Sequence, residues 1–145
     1  MAESASGCRF CAIVAGEEHG HVVFEDDVSL AFLDHRPLFP GHSLLVPREH
    51  IETIWDLPDG MVGPLFANAR LLSAAIRDAM NAQGAFVAVN NVVSQSVPHL
   101  HVHVVPRNRK DGLRGFFWPR TKYDNEKHMR DTAQAVRAAV DELSG

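Results

Sequence analysis

Three histidines alternate with apolar residues in the run His99-Leu-His101-Val-His103-Val-Val-Pro106. Side chains along a strand point to opposite faces in turn, so this spacing sets three imidazoles on one face and Leu100, Val102 and Val104 on the other. Imidazoles grouped in this way can bind a metal, hold an anion through N–H donors, or combine a nucleophile with hydrogen-bonding neighbours. The chain carries nine histidines against one tyrosine and two cysteines, and imidazole is the side chain that titrates nearest neutral pH. The two cysteines, Cys8 and Cys11, are spaced C-x-x-C. In a reducing compartment that spacing means a metal half-site or a redox pair rather than a structural disulfide.

The elements that must position these groups follow from hydrophobic periodicity. Val22 to Asp34 holds two short apolar runs around the turn-prone Glu25-Asp26-Asp27, which predicts a hairpin closed by Asp34. Arg36-Pro-Leu-Phe-Pro-Gly41 is a loop, and His42-Ser-Leu-Leu-Val-Pro47 a compact apolar strand. After Asp56-Leu-Pro58 the period changes: Met61, Leu65, Phe66, Ala69, Leu72, Ile76 and Ala79 recur at three- and four-residue steps, which predicts the main packed helix over 57–81. Gln83-Gly84 ends it. Ala85 to Asn91 reads as a buried strand, and the histidine run as a strand over 99–106. Residues 107–123 are irregular, basic and aromatic, with Arg109, Lys110 and Arg114 able to meet a polyphosphate and Phe116-Phe117-Trp118-Pro119 beside them. Asn125 to Leu143 is helical, with Met129, Ala133, Val136, Val140 and Leu143 on one stripe. The sum is an α+β layout with an antiparallel meander.

Composition bounds the function. A length of 145 residues predicts one domain over 1–145. Apolar residues at 46% and charged residues at 22% exclude disorder and a disulfide-stapled miniprotein. The net charge of −4 argues against nucleic acid as a partner. No run approaches the roughly eighteen apolar residues of a membrane span, and the first residues lack a signal-peptide pattern, so the expectation is a cytoplasmic protein with no membrane partner.

His99-Leu-His101-Val-His103-Val-Val105 resembles the signature of the histidine triad (HIT) superfamily of nucleotidyl hydrolases and transferases. Ala31-Phe32-Leu-Asp34, followed by Pro40-Gly41-His42-Ser-Leu-Leu-Val-Pro47-Arg-Glu-His50, is similar to the upstream block of that family, and Gln95-Ser96-Val97 to its polar run before the triad. The resemblance implies an α+β fold with a five-stranded antiparallel sheet, one long packed helix and a C-terminal helix, paired as a homodimer. It implies that His101 attacks the α-phosphorus of an adenine-type nucleotide, a small-molecule substrate, and passes through a nucleotidyl-histidine, with release of a nucleoside monophosphate. By the same resemblance His103 donates to the phosphate, Ser96 contacts the leaving group, and His42 supports the triad. Asp34 takes the ribose hydroxyls, Asn90 or in its place Asn91 the ribose or phosphate, the backbone N–H groups of Gln95 and Ser96 add donors, and Phe10, Ile13, Phe32, His35 and Leu44 take the base with broad purine tolerance.

In one branch of the superfamily a C-x-x-C pair joins two histidines around structural zinc, and the matching set here is Cys8, Cys11, His50 and His99. Two thiolates and two imidazoles make a closed tetrahedral site with no open position for metal catalysis. The ending Val104-Val-Pro-Arg107 is nearer to dinucleoside-polyphosphate hydrolases than to adenosine phosphoramidases, which with acyl-adenylate hydrolysis and a slow-turnover binding module are the alternatives. The family has glycine where Ser94 stands, and the stretch from Asn90 to His99 is shorter than in many relatives. His19, His21 and His128 receive no role and are expected to be exposed.

Overall fold

A computed structural model describes residues 5–113 and 120–145. The predicted aromatic run from Phe116 to Pro119, and Arg114 before it, lie outside the described residues. The chain forms two compact units, Met1–Asp111 and Gly112–Gly145.

The first unit holds five strands, β1 (Val22–Glu25), β2 (Ser29–Leu33), β3 (Ser43–Pro47), β4 (Gly84–Val89) and β5 (Val102–Arg107), all antiparallel in the order β1-β2-β3-β5-β4. The short helix α1 (Arg9–Val14) precedes the sheet, and the long helix α2 (Asp59–Ala79) links β3 to β4 after a 3-10 turn at Ile54–Asp56. The architecture is the expected five-stranded α+β fold. The hairpin at 25–28 is an Asx turn: Oδ1 of Asp26 accepts from the N–H groups of Val28 and Ser29, both at 2.9 Å.

Period-2 alternation divides the sheet into two faces. Ala31, Leu45, Val102 and Val104 pack with Leu65, Ala69, Leu72 and Ile76 of α2. Leu30, Phe32, Leu44 and Val46 turn the other way and pack with Phe10 and Ile13 of α1. The register places His103 opposite Leu44 on this second face. The triad therefore opens on the α1 side, while α2 backs it.

Two expectations need correction, and one element was missed. The histidine strand starts at Val102 rather than at 99, because the segment before it bonds to a loop, Leu100 N–H donating to Ile51 O at 2.6 Å. Residues 84–89 form an edge strand with no fully buried residue, not a buried strand, because among the described residues no strand pairs beyond β4. Helix α1 was not anticipated; its signal is Cys8 as N-cap, accepting from Cys11 N–H, with Phe10 and Ile13 three apart.

Two local choices keep the site side in shape. Gly41 has φ +99°, and a Cβ there would lie 2.7 Å from Cγ of Met80, so the turn into β3 needs glycine. Pro106 sits in β5 beyond the last β3 pair, Ser43 with Val104, where no N–H donor is required. In the second unit, α3 (Glu126–Ser144) is capped by Asn125, whose Oδ1 accepts from His128 N–H at 2.8 Å. Its stripe of Met129, Val136, Val140 and Leu143 is exposed.

Candidate functional site

Helix α1 ends one cluster and begins another. Sγ of Cys8 lies 3.4 Å from Nδ1 of His99, and Sγ of Cys11 lies 3.3 Å from Nδ1 of His50 and 3.5 Å from Nδ1 of His99. These four donor atoms all fall within 4.8 Å of one another and could hold a metal ion. His99 is fully buried, and its Nε2–H donates to the Pro47 carbonyl at 2.9 Å, which leaves the Nδ1 lone pair aimed at the thiols. Donation of the remote ring N–H to a backbone carbonyl is the usual way a metal-ligating histidine is oriented. Burial pushes its pKa down to about 4, so the ring is neutral and able to coordinate. Burial also raises the Cys11 thiol.

On the other side of this segment, the triad gains its polarity from two backbone groups. Leu38 N–H donates to Nδ1 of His42 at 3.1 Å, so the proton of that neutral ring sits on Nε2. His42 Nε2 then donates to Nδ1 of His103 at 3.0 Å, which puts the His103 proton on its own Nε2. His101 is set the opposite way, its Nδ1–H donating to the His99 carbonyl at 2.7 Å, so Nε2 keeps a bare lone pair. Burial lowers the pKa of His42, His101 and His103, the last to about 4 with help from the neighbouring His101 and His42. All three are neutral near pH 7. Asp34 approaches His42 Nε2 at 3.6 Å, and its Oδ1 accepts from Arg36 N–H at 2.9 Å.

The rings of His101 and His103 are 4.9 Å apart and line a cavity of about 600 Å³. Its floor is Phe10, Ile13, Phe32 and Leu44, and the His101 ring meets Phe10 edge-on at 5.0 Å. Asp34, His35 and Ser96 also line it, so most of the expected nucleotide residues come together. His42 stands behind His103 rather than in the cavity.

Asn90 and Gln95 do not line it. Gln95 braces its loop instead: its side-chain oxygen accepts from Val92 N–H at 3.0 Å, its amide donates to Glu52 O at 2.6 Å, and its own N–H bonds to Val92 O at 3.4 Å. Asn91 accepts from Ile54 N–H at 2.8 Å, again as a brace. Sequence reasoning left out His19 and His21, which are exposed as expected yet line the cavity, and Arg9 at its edge. Their types alone carried no signal, because only the turn before β1 brings them over the floor.

The profile of the HIT domain matches residues 15–110, and the chain belongs to that family. Among curated relatives, the adenosine 5'-monophosphoramidase HNT1 of Saccharomyces cerevisiae is 33% identical over 126 residues, covering 84% of this chain and 76% of the yeast protein. The adenylylsulfatase HINT3 of Arabidopsis thaliana is 36% identical over 108 residues, 73% of this chain and 55% of that longer protein. A crystal structure of a HIT family member from Bacillus subtilis superposes with a TM-score of 0.83 at 33% identity, covering 92% of this chain and 96% of that one. A zinc-bound histidine triad protein from Mycobacterium smegmatis gives a TM-score of 0.70 at 34% identity, covering 95% and 96%. At the level of the family, these likenesses support a nucleotide hydrolase. Among the described residues, no helix is long and apolar enough to cross a membrane.

Proposed function

We propose that this protein hydrolyses nucleotides at the α-phosphorus, with His101 as nucleophile. The observation that carries the reading is the orientation of His101: its Nδ1–H is held by the His99 carbonyl at 2.7 Å, so a neutral ring offers Nε2 in a cavity of about 600 Å³ with an apolar floor and a polar rim. The Nε2 lone pair forms the N–P bond while the bond from phosphorus to the leaving group breaks, and the leaving group departs with its electron pair. The Nε2–H of His103 is aimed by His42 and donates to a non-bridging phosphate oxygen as charge gathers there. Water then adds to phosphorus, the N–P bond breaks, and a nucleoside monophosphate is released with a proton returned to solvent. Asp34 offers two carboxylate oxygens to the ribose hydroxyls, and Ser96 a hydroxyl to the leaving group.

The ending of β5 favours a dinucleoside polyphosphate as substrate. The two named relatives favour the second reading, an adenosine phosphoramidate or an adenylate with another acidic leaving group. Cys8, Cys11, His50 and His99 fit zinc, on the observation that the remote nitrogen of His99 is bonded to Pro47 O; the ion would supply structure and no chemistry at phosphorus. A homodimeric, cytoplasmic protein belongs to the same reading through the resemblance.

Release of adenosine monophosphate is measured from a diadenosine polyphosphate and from an adenosine phosphoramidate, for the wild type and for His101→Ala. The variant is expected to lose turnover by at least about a thousandfold while still binding the monophosphate. Undiminished turnover would overturn the mechanism, and a wild type that binds both substrates without cleaving either would make the protein a binding module.

A further inference from the structure

The C-x-x-C spacing admits a metal half-site or a redox pair, and the fold places both cysteines where either chemistry can occur. Cys8 caps α1 and Cys11 lies in its first turn, with Cys11 N–H donating to Sγ of Cys8 at 3.3 Å. Residues so placed lie about 5 Å apart at Cα, inside the range of about 4.4–6.8 Å that a disulfide spans. Both thiols are reduced. Their sulfurs belong to the set of donor atoms that falls within 4.8 Å, so a small side-chain movement brings them together.

The two are not equally reachable: Cys11 is buried, whereas Cys8 is partly exposed. A cleft of about 560 Å³ opens onto both cysteines beside Ala12 and Glu18, and a second of about 420 Å³ opens onto Cys8 and His50 beside Pro98. Neither His101 nor His103 lines either cleft, so a small molecule reaches the sulfurs without entering the nucleotide cavity. A change at the sulfurs nevertheless reaches the nucleophile by two short routes. The side chain of His99 faces the thiols, while its backbone carbonyl holds Nδ1–H of His101 at 2.7 Å. Phe10, between the two cysteines, has its ring centroid 6.0 Å from that of His99 and 5.0 Å from that of His101.

We infer that Cys8 and Cys11 are an oxidation site for small hydroperoxides, and that closing them into a disulfide weakens nucleotide binding; this rests on the zinc and nucleotide readings above. Sγ of Cys8 attacks one oxygen of the peroxide: the S–O bond forms, the O–O bond breaks, and the departing oxygen takes a proton from solvent. Sγ of Cys11 then attacks Sγ of Cys8, the S–S bond forms, the S–O bond breaks, and the oxygen leaves as water with a second solvent proton. For hydrogen peroxide, the two thiolates lose two electrons, the peroxide gains them, and two waters are formed. A disulfide sulfur carries no charge and is a poor ligand for zinc, whose donor is the thiolate. Only the imidazoles of His50 and His99 then remain, so the ion leaves, His99 loses its partner at Nδ1, and α1 loosens under the cavity floor.

In the test, purified protein is treated with hydrogen peroxide and followed by thiol state in mass spectrometry, by zinc released to a chromogenic chelator, and by the Kd for adenosine monophosphate. The expected result is loss of both thiols to an internal disulfide, release of about one zinc per chain, and a Kd raised about tenfold as the competent conformer becomes scarce. Reductant with added zinc is expected to restore all three. A sulfenic-acid trap present during oxidation is expected to mark Cys8. Cys8→Asp/Cys11→Asp, which keeps two metal donors that peroxide leaves intact, is expected to show one Kd before and after treatment. Thiols that stay reduced, a trap adduct on Cys11 instead, a disulfide that forms with no zinc released or no change in Kd, or a loss that reductant and zinc do not restore each overturns the inference while the nucleotide reading stands. So does a double variant whose Kd rises under peroxide as the wild type's does. An untreated wild type that does not bind adenosine monophosphate overturns both.

Discussion

Proton placement in the triad depends on single hydrogen bonds from the backbone, Leu38 N–H to His42 and His101 to the His99 carbonyl, so two chemically identical side chains leave with opposite polarity. The alternating spacing made His101 and His103 legible as a pair; which of them carries a proton on the Nε2 it presents was not, because Leu38 N–H acts on His103 through His42, far away in sequence, and the His99 carbonyl meets His101 only in this backbone conformation. Another residue-scale feature lies in the loop before the triad. Val92 has φ +70° and Ser94 φ +63°, a backbone region where a β-branched residue such as Val92 is strained. Val92 is 65% exposed, so little packing offsets that strain. Val92→Gly is expected to stabilise the protein by about 1 kcal/mol, read as a higher urea midpoint; a lower midpoint would show that no strain is released.

At the scale of elements, one turn fastens the sheet to its helix. Asp26 accepts from Val28 and Ser29 N–H groups within the β1–β2 hairpin, and its Oδ2 accepts from Asn68 of α2 at 2.8 Å. Burial pushes its pKa up, but the bonds from Ser29, Asn68 and Val28 and the charge of Arg48 outweigh that and hold it below its ordinary 3.8. A carboxyl depressed on folding contributes stability that is fully present above its unfolded pKa and is lost as pH falls through the folded one. Asp26→Ala is therefore expected to lower the urea midpoint at pH 6 and to lose much of that difference by pH 2.5; an equal difference at both would remove the charge from the explanation. Turn-prone residues made this hairpin legible, and the three- and four-residue period did the same for α2. Edge strand β4 was misjudged, because an apolar run looks alike in the centre of a sheet and at its border.

For the molecule as a whole, the thiol cluster joins distant parts of the chain, tying α1 to the residues after β3 and before β5. Phe10 and Ile13 of the cavity floor lie on the same helix as Cys11, so a metal there would hold the floor as well as the N-terminal segment. Protein purified without added metal is expected to contain about one zinc per chain, and its removal by a chelator to lower Tm by several degrees and weaken nucleotide binding. A zinc-free chain with the same melting curve would end that assignment. Residue types and spacing by themselves determined the triad, the cysteine pair, the two-period pattern of strands and helix, and hence the family. Those are local properties, written in steps of two, three and four residues. Only the tertiary structure decided which ring nitrogen His99 turns to the thiols, that Asn90 and Gln95 leave the cavity lining, and that His19 and His21 join it. Each of those outcomes depends on a carbonyl, a loop brace or a turn from a distant part of the chain, and such contacts have no period to read.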